Sequence, residues 1–228
     1  MVIFEDRQIL VLQKPPLWLA QADQTGRADV LEWARRHVEV FDQKPGRAYI
    51  GLCHRLDWAV GGLMVLAKTS KAAKRLGLQF LTRTIKKRYL ALTLGEPEAS
   101  GRLTSQLYRS GQLTRLAQAS EKGTLAILDY ESLARGEIHG QKASLLSIQL
   151  LTGFKHQIRA QMAQIGFPIV GDERYGAPAG STGAIGLWAY QLEFLSPVGQ
   201  EPLSFTVWPG DFWPWAAWRG PSWREFLS

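Results

Sequence analysis

The feature of the sequence that most limits the fold is a series of short apolar segments, each closed by residues that end a β-strand. The segment Ile9–Leu12 runs into Lys14-Pro15-Pro16, and proline cannot donate a hydrogen bond to a neighbouring strand. All of these segments are far shorter than the roughly 18 residues that a membrane-spanning helix needs. They predict β-strands that are buried on one face and in part on the other. The remaining members of the series are 61–67, 88–94, 126–133 and 142–151.

Two segments with helical spacing interrupt this series. The first is Asp29–Val38, and the second is Ser70–Thr82, for which Ser70 is the predicted N-cap. In the second segment Leu76 and Phe80 recur at helical spacing and form a narrow apolar stripe. A stripe this narrow is fully buried when the helix packs on a domain core. It therefore leaves no apolar face for a membrane surface.

A third predicted helix ends at Gly166 and has two distinct faces. Its apolar stripe marks the core side, whereas His156 and Arg159 share another face that we expect to point away from the core. Since predicted strands outnumber predicted helices, the fold class is α+β, a mixed, largely antiparallel β-sheet core with flanking helices. The apolar stripe consists of Ile158, Met162 and Ile165.

Charge narrows the class of partner. The 228 residues include 27 lysines and arginines against 20 aspartates and glutamates, a net charge of +7. This excess favours a polyanionic partner. A hydrophobic fraction of 46% with 21% charged residues excludes a disordered polyelectrolyte. Because no repeat or low-complexity linker divides the chain, we expect residues 1–228 to form a single domain.

Cysteine and tryptophan usage adds two further constraints. A single cysteine, Cys53, excludes an intramolecular disulfide and a cysteine-based zinc site, and it fits a reducing cytoplasm. The acidic residues Glu5 and Asp6 stand where a secretory signal would carry lysines. Nine tryptophans are present, and five of them lie in the last 21 residues, at 208, 213, 215, 218 and 223.

The tetrapeptide His54-Arg55-Leu56-Asp57 is the first candidate for chemistry. If it is extended, Arg55 and Asp57 project to the same side, which places a guanidinium beside a carboxylate. The alternative is an ion pair in a surface turn, which has little energetic effect. The tetrapeptide alone does not separate these two interpretations.

Two further segments place cations beside rings or imidazoles. In the run 86–89, Lys87 and Arg88 can hold phosphates while Tyr89 stacks on a base, and a solvated helix face is the alternative. In the run 151–159, Arg159 follows His156 by one helical turn and could neutralise a buried carboxylate from elsewhere; here the alternative is that both decorate the surface.

The sequence lacks the residues that three other kinds of functional site require. The sequence has no phosphate-binding loop of the type G-x-x-x-x-G-K-[ST]. Its four histidines show no spacing typical of a metal site, so we predict no metal. Glycoside hydrolysis needs two opposed carboxylates, and Asp57 is the one carboxylate in a segment whose pattern suggests a catalytic site.

Taken in order, the quoted segments resemble the RluA-like family of RNA pseudouridine synthases. The resemblance runs from about residue 2 to residue 207. The segments that carry it are Ile3–Asp6 with the strand to Lys14-Pro15, His54–Asp57 followed by Gly62–Lys68, Lys87–Ala91, Thr152-Gly153 with His156–Arg159, and Ile165–Gly176.

The resemblance implies a reaction and a set of roles. A uridine in tRNA or rRNA is isomerised to pseudouridine without a cofactor. Asp57 corresponds to the catalytic carboxylate, Tyr89 to the tyrosine that packs on the target base, and Arg159 to a cation that offsets the desolvation of the carboxylate. The oligomeric state is left open by the resemblance. The residues expected to bind RNA are Arg55, Lys87, Arg88, Lys155 and His156.

The chain departs from the family pattern around the site. Trp58, Val60 and Gly61 stand where relatives usually carry arginine, threonine and serine, and Phe154 replaces another arginine. Trp58 and Trp188, the latter at a histidine position, predict a more apolar site wall or a stacking surface. The departures together support an alternative function, an RNA-binding or RNA-chaperone protein whose catalysis has decayed. Two more departures are Leu17 at a glycine position and Trp188 at a histidine position.

The resemblance also bears on domain organisation. The chain begins directly with the predicted catalytic domain, so we expect no small N-terminal RNA-binding domain of the kind that many family members carry. The tryptophan-rich tail at about 208–228 lies mostly beyond the matched segments, and we expect it to pack over the domain.

Overall fold

A computed structural model describes residues 1–42, 46–178, 180, 182–222 and 225. The chain divides into two compact units. The first contains residues 1–86 and 191–207, and the second contains residues 87–190 and 208–228. The prediction of a single catalytic domain stays a prediction, as does the absence of an N-terminal RNA-binding domain.

The elements confirm the α+β class, with strands more numerous than helices in the described part of the chain. The helices are α1 (Val30–Asp42), α2 (Ser70–Leu81) and α3 (Gln157–Gln164), with short 3-10 helices at Glu173–Tyr175 and Trp215–Ala217. The strands are β1 (Val2–Glu5), β2 (Ile9–Lys14), β3 (Gly51–Leu52), β4 (Gly61–Ala67), β5 (Lys86–Leu94), β6 (Ser100–Ser110), β7 (Leu113–Leu116), β8 (Thr124–Ile138), β9 (Gln141–Leu150), β10 (Leu187–Leu195) and β11 (Pro202–Thr206).

In the first unit, β2 is the strand around which the sheet is organised. It pairs antiparallel with β1 and with β4, whose register runs from Ile9 opposite Ala67 to Lys14 opposite Gly62. Every residue of β4 is buried, which explains its continuous apolar run. The strand continues beyond the predicted end at Leu12, so Lys14 belongs to the strand and is fully buried.

The helices of the first unit begin with side-chain caps. The carboxylate of Asp29 accepts the backbone N–H of Glu32 at 2.9 Å, and α1 continues past the predicted end at Val38. The prediction that Ser70 caps α2 is wrong. Thr69 is extended and its Oγ1 accepts the N–H of Ala72 at 3.1 Å, so Ser70 is already the first helical residue.

The second unit contains a series of antiparallel strands in the order β5, β9, β8, β6 and β7. The hairpin between β8 and β9 turns at His139 and Gly140, which both have positive φ angles of 50° and 74°. A two-residue turn of this kind matches the twist of the flanking strands. The predicted strands 126–133 and 142–151 coincide largely with β8 and β9, whereas β6, β7, β10 and β11 were not predicted.

The C-terminal segment packs against the rest of the second unit through its aromatic side chains. Trp215 and Trp218 are buried, and Trp208 stacks on Tyr190 with ring centroids 5.6 Å apart. Arg219 forms an isolated β-bridge with Glu137 in β8. The fifth tryptophan of this segment, Trp223, lies outside the described residues. No helix among the described residues has both the length and the apolar character needed to cross a membrane.

Candidate active site

Asp57 lies in a turn between β3 and β4, at the end of the His54-Arg55-Leu56 segment. The segment is not a regular strand, and the carbonyl of Asp57 accepts the N–H of Val60 at 3.1 Å. His54 anchors the segment to β4, since its Nε2 accepts the N–H of Val65 at 3.0 Å. Asp57 is half-buried and Arg55 is exposed. The local fold thus holds a carboxylate in partial contact with solvent, as a reactive carboxylate requires.

Lys14 lies close enough to Asp57 to interact with its charge, and the sequence patterns assign it no role. Its ammonium is fully buried and donates to the carbonyl oxygens of Pro15 at 2.9 Å, Trp18 at 2.8 Å and Trp58 at 3.4 Å. Burial lowers the pKa of Lys14 to about 7, and the charge of Asp57 opposes this shift. The signal in the sequence is a lysine two positions after four apolar residues, at a place where the alternation of a strand continues.

Tyr89 lies in the middle of strand β5, opposite Ile148 of β9. Its side chain is 9% exposed. The neighbouring Lys87 and Arg88 are half-buried in the same strand, so the alternative of a solvated helix face is wrong. Lys87 lies within 3.5 Å of the carbonyl oxygen of Thr152, at the start of the segment that leads to α3.

Arg159 is held inside the second unit by a buried carboxylate. Its Nε and Nη2 donate to the two carboxylate oxygens of Asp172 at 2.6 and 2.7 Å. Arg159 is 5% exposed and Asp172 is 1% exposed. The expected position of Arg159 and His156 away from the core is therefore wrong, because α3 is buried on nearly all sides. The two buried glutamines of α3, Gln157 and Gln161, satisfy their amides by hydrogen bonds within the core.

Tyr175 covers Arg159 from a second direction. The guanidinium carbon of Arg159 lies 4.9 Å from the centre of the Tyr175 ring, a cation–π distance. The Tyr175 hydroxyl accepts the N–H of Thr114 at 2.9 Å and lies 3.0 Å from Nδ1 of His156. Burial raises the pKa of Tyr175. Lys155, predicted to bind RNA, is tied into the same cluster because its carbonyl oxygen accepts the hydroxyl of Thr114 at 2.7 Å.

In the sequence, Asp172 and Tyr175 are members of the long motif Ile165–Gly176, and the motif by itself gives them no role. The signal was present, because a carboxylate and a phenol lay close to a predicted helix that carries an arginine. The spacing of the motif does not predict that the chain turns back toward α3 after Gly166. Gly171, with a φ angle of 77°, helps to bring Asp172 back to α3.

Two departures from the family pattern have clear structural settings. Leu17 has a φ angle of 66°, so this residue keeps a left-handed backbone where relatives carry glycine. Its N–H donates to the carbonyl oxygen of Trp58 at 2.7 Å. Trp188 is fully buried and packs against Phe212, so the interpretation of Trp188 as a stacking surface is wrong.

Comparisons with known proteins agree on the family. The family model for RNA pseudouridylate synthases matches residues 8–164. The ribosomal large subunit pseudouridine synthase D of Vibrio cholerae is 32% identical over 220 residues, covering 90% of this chain and 65% of that protein. The tRNA pseudouridine synthase C of Yersinia pestis is 29% identical over 250 residues, covering 100% of this chain and 89% of that protein.

Solved structures agree on the fold. Human RNA pseudouridylate synthase domain containing 1 superposes with a TM-score of 0.75 at 22% identity, covering 99% of this chain and 92% of that one. The chain spans 53% to 65% of the length of the first relatives named synthase D. Because the matched region includes the segments of Asp57, Tyr89 and Arg159, the chain belongs to the RNA pseudouridylate synthase family, as its resemblance to the RluA-like members predicted.

Proposed function

We propose that the protein is an RNA pseudouridine synthase that isomerises a uridine in rRNA or tRNA. One observation carries this proposal: the family match covers residues 8–164, and Asp57, Tyr89 and Arg159 all lie within that range. Decay of catalysis would give no reason to retain all three. The two relatives described above are named for rRNA and for tRNA, so either class of RNA is a candidate substrate.

The reaction rearranges bonds without any net change in atoms. The bond between the anomeric carbon and N1 of uracil breaks, the base rotates, and a new bond forms between the anomeric carbon and C5. The C5 proton leaves and N1 gains a proton. We propose that Asp57 is the carboxylate nucleophile, acting on the sugar or on the base. Its half-buried setting limits hydration while keeping the group accessible.

Tyr89 and Arg159 have complementary proposed roles. The ring of Tyr89 packs on the uracil, and its hydroxyl assists removal of the C5 proton after the new bond has formed. Arg159 offsets the cost of dehydrating a carboxylate in the site. The bidentate pair with Asp172 fixes the orientation of the guanidinium before substrate binds.

Substrate binding is proposed to rest on the excess positive charge. Arg55, Lys87, Arg88, Lys155 and His156 are the proposed RNA contacts, and they would hold the backbone with little regard to sequence. A uridine inside a stem must be extruded first, which costs a few kcal/mol and less in a loop. With one cysteine and an RNA substrate, we place the protein in the cytoplasm.

The test compares pseudouridine positions in total RNA from cells with and without the protein. We expect at least one position to lose its modification. Complementation with Asp57→Asn should leave that position unmodified, with turnover of the purified protein lowered more than about 10³-fold while RNA binding is retained. The control is Asp129→Asn, which alters an exposed carboxylate paired with Arg102 and should restore modification.

Two results would remove the catalytic assignment. If no position changes and the purified protein modifies no transcript but still binds RNA, the decayed RNA-binding alternative takes its place. If Asp57→Asn turns over RNA at the wild-type rate, another residue carries the chemistry.

A further inference from the structure

Arg27 and Trp58 form a stacked pair beside the proposed catalytic carboxylate. The guanidinium carbon of Arg27 lies 4.5 Å from the centre of the Trp58 ring, which is cation–π contact. Trp58 directly follows Asp57 in the chain, whereas Arg27 comes from the segment that precedes α1. The fold thus brings an arginine from a separate segment to the residue next to Asp57.

The tryptophan in this pair is held firmly. Its carbonyl oxygen accepts the N–H of Leu17 at 2.7 Å and lies 3.4 Å from Nζ of Lys14. The ring is half-buried, and its indole Nε1 is buried without a hydrogen-bond partner among the described residues. An unpaired buried N–H destabilises a fold. A phenylalanine would avoid that cost, but tryptophan holds a cation more strongly than phenylalanine does.

The arginine in this pair is exposed, in contrast to its platform. When a guanidinium lies over a ring, its N–H groups point outward in its own plane, where they can bind two oxygens of one anion. Asp23 of the same segment accepts the backbone N–H of Thr25 at 2.8 Å and the Thr25 hydroxyl. These hydrogen bonds lower the pKa of Asp23, and the positive charge of Arg27 adds a smaller effect in the same direction. The N–H groups at the outer edge of the Arg27 guanidinium are therefore placed to bind an anion from solution.

We propose that Arg27, supported by Trp58, binds a phosphodiester of the RNA next to the target uridine. This inference rests on the proposed function, because Asp57 marks where the target nucleotide sits. A nucleotide at Asp57 carries its own phosphates on either side, so they are the anions nearest to the residue after Asp57. Trp58 acts here as a positioning residue and Arg27 as the phosphate contact.

The test measures binding of a fluorescein-labelled RNA stem–loop with one uridine in its loop, at several KCl concentrations. For Arg27→Gln we expect affinity to fall about threefold to tenfold and the slope of log Kd against log salt to decrease by about 1, as the loss of one phosphate contact requires. The matched control is Arg36→Gln, an exposed arginine bonded to Glu32 on α1, which should keep the wild-type slope. An Arg27→Gln slope equal to that of the wild type overturns the proposal.

The role of Trp58 is tested by coupling. We expect Trp58→Leu to weaken binding about as much as Arg27→Gln, and the double variant to be no weaker than either. Losses that simply add would show that Trp58 does not act through Arg27. Trp58→Phe keeps a ring under the cation and should be intermediate, which guards against a folding defect in Trp58→Leu.

The experiments distinguish failure of the proposed catalytic function from failure of the proposed phosphate site. If the wild type binds the stem–loop but forms no pseudouridine in any RNA, the proposed function fails while the salt slope still decides the role of Arg27. If the wild type is active and Arg27→Gln has wild-type affinity and slope, the phosphate site fails alone.

Discussion

Lys14 shows how much one residue can depend on its surroundings. The lysine ends strand β2 with no exposed surface, and three backbone carbonyls surround its nitrogen. Burial disfavours the ammonium and brings the pKa of Lys14 to about 7, against an ordinary value of 10.5. A folded protein therefore releases this proton at a pH at which the unfolded chain still holds it.

The sign of the resulting pH dependence follows from this difference. Between about pH 7 and the ordinary value of 10.5, the unfolded state binds more protons, so the free energy of unfolding should rise with pH. For a single proton the slope approaches about 1.4 kcal/mol per pH unit. We expect Lys14→Met to lose this slope, measured by urea unfolding between about pH 7 and about pH 8.5.

The experiment needs a control variant and a pH range in which no other buried group changes the stability. Lys71→Met, at an exposed position of α2, should keep the wild-type slope. Burial raises the pKa of Cys53 to about 11 from an ordinary 9.0, which lowers stability as pH rises above 9.0, so the window stops below that value. Parallel slopes for wild type and Lys14→Met would refute the assignment.

At the scale of elements, the cluster of α3 with the 3-10 helix at Glu173–Tyr175 fixes one arginine from two directions. Asp172 binds the edge of the Arg159 guanidinium and Tyr175 covers its face. A buried charge pair of this kind adds little net stability compared with apolar residues, yet loss of one partner strands a buried charge. The arrangement is consistent with selection for orientation.

This cluster gives a prediction that combines stability and activity. Asp172→Asn should lower the free energy of unfolding by about 3 kcal/mol, because Arg159 keeps a buried charge without its partner. The double variant Arg159→Met with Asp172→Asn should be more stable than Asp172→Asn, because it removes both charges. Activity should fall through kcat more than through KM, since the arginine is misoriented while RNA contacts remain.

Urea unfolding and single-turnover kinetics provide both measurements. Asp129→Asn breaks the exposed Arg102 pair and should cost no more than about 1 kcal/mol. A double variant less stable than Asp172→Asn would show that the unpaired charge of Arg159 is not what destabilises Asp172→Asn. A wild-type kcat for Asp172→Asn would show that Asp172 does not orient Arg159 for catalysis.

At the scale of the whole molecule, the net charge of +7 predicts that the proposed association with RNA depends on salt. If the protein neutralises about four phosphates, affinity should fall roughly 100-fold between 50 and 200 mM monovalent salt. Fluorescence anisotropy with the labelled stem–loop measures this dependence. Asp57→Asn should show the same or a slightly steeper salt dependence, because it removes a negative charge and adds no phosphate contact. Affinity that does not change with salt would contradict an electrostatic mode of binding.

The sequence by itself determined the α+β class, the strands β2, β4, β5, β8 and β9 and the family, because these depend on local patterns. Short apolar runs and alternating patterns predict strands such as β4 and β5. A family motif likewise consists of residues that are close together in the sequence. The same local information identified Asp57, Tyr89 and Arg159 as candidates. It misplaced the cap of α2 by one residue, since Thr69 and Ser70 are both common caps and serine is the more favoured of the two.

Only the tertiary structure decided which of these groups are buried and what they contact. Lys14 has no exposed surface, Arg159 binds Asp172 across 13 positions of sequence, and Arg27 stacks on Trp58 from a separate segment. The physical reason is that the cost of burying a charge is offset by partners, and those partners come from parts of the chain that no local pattern connects.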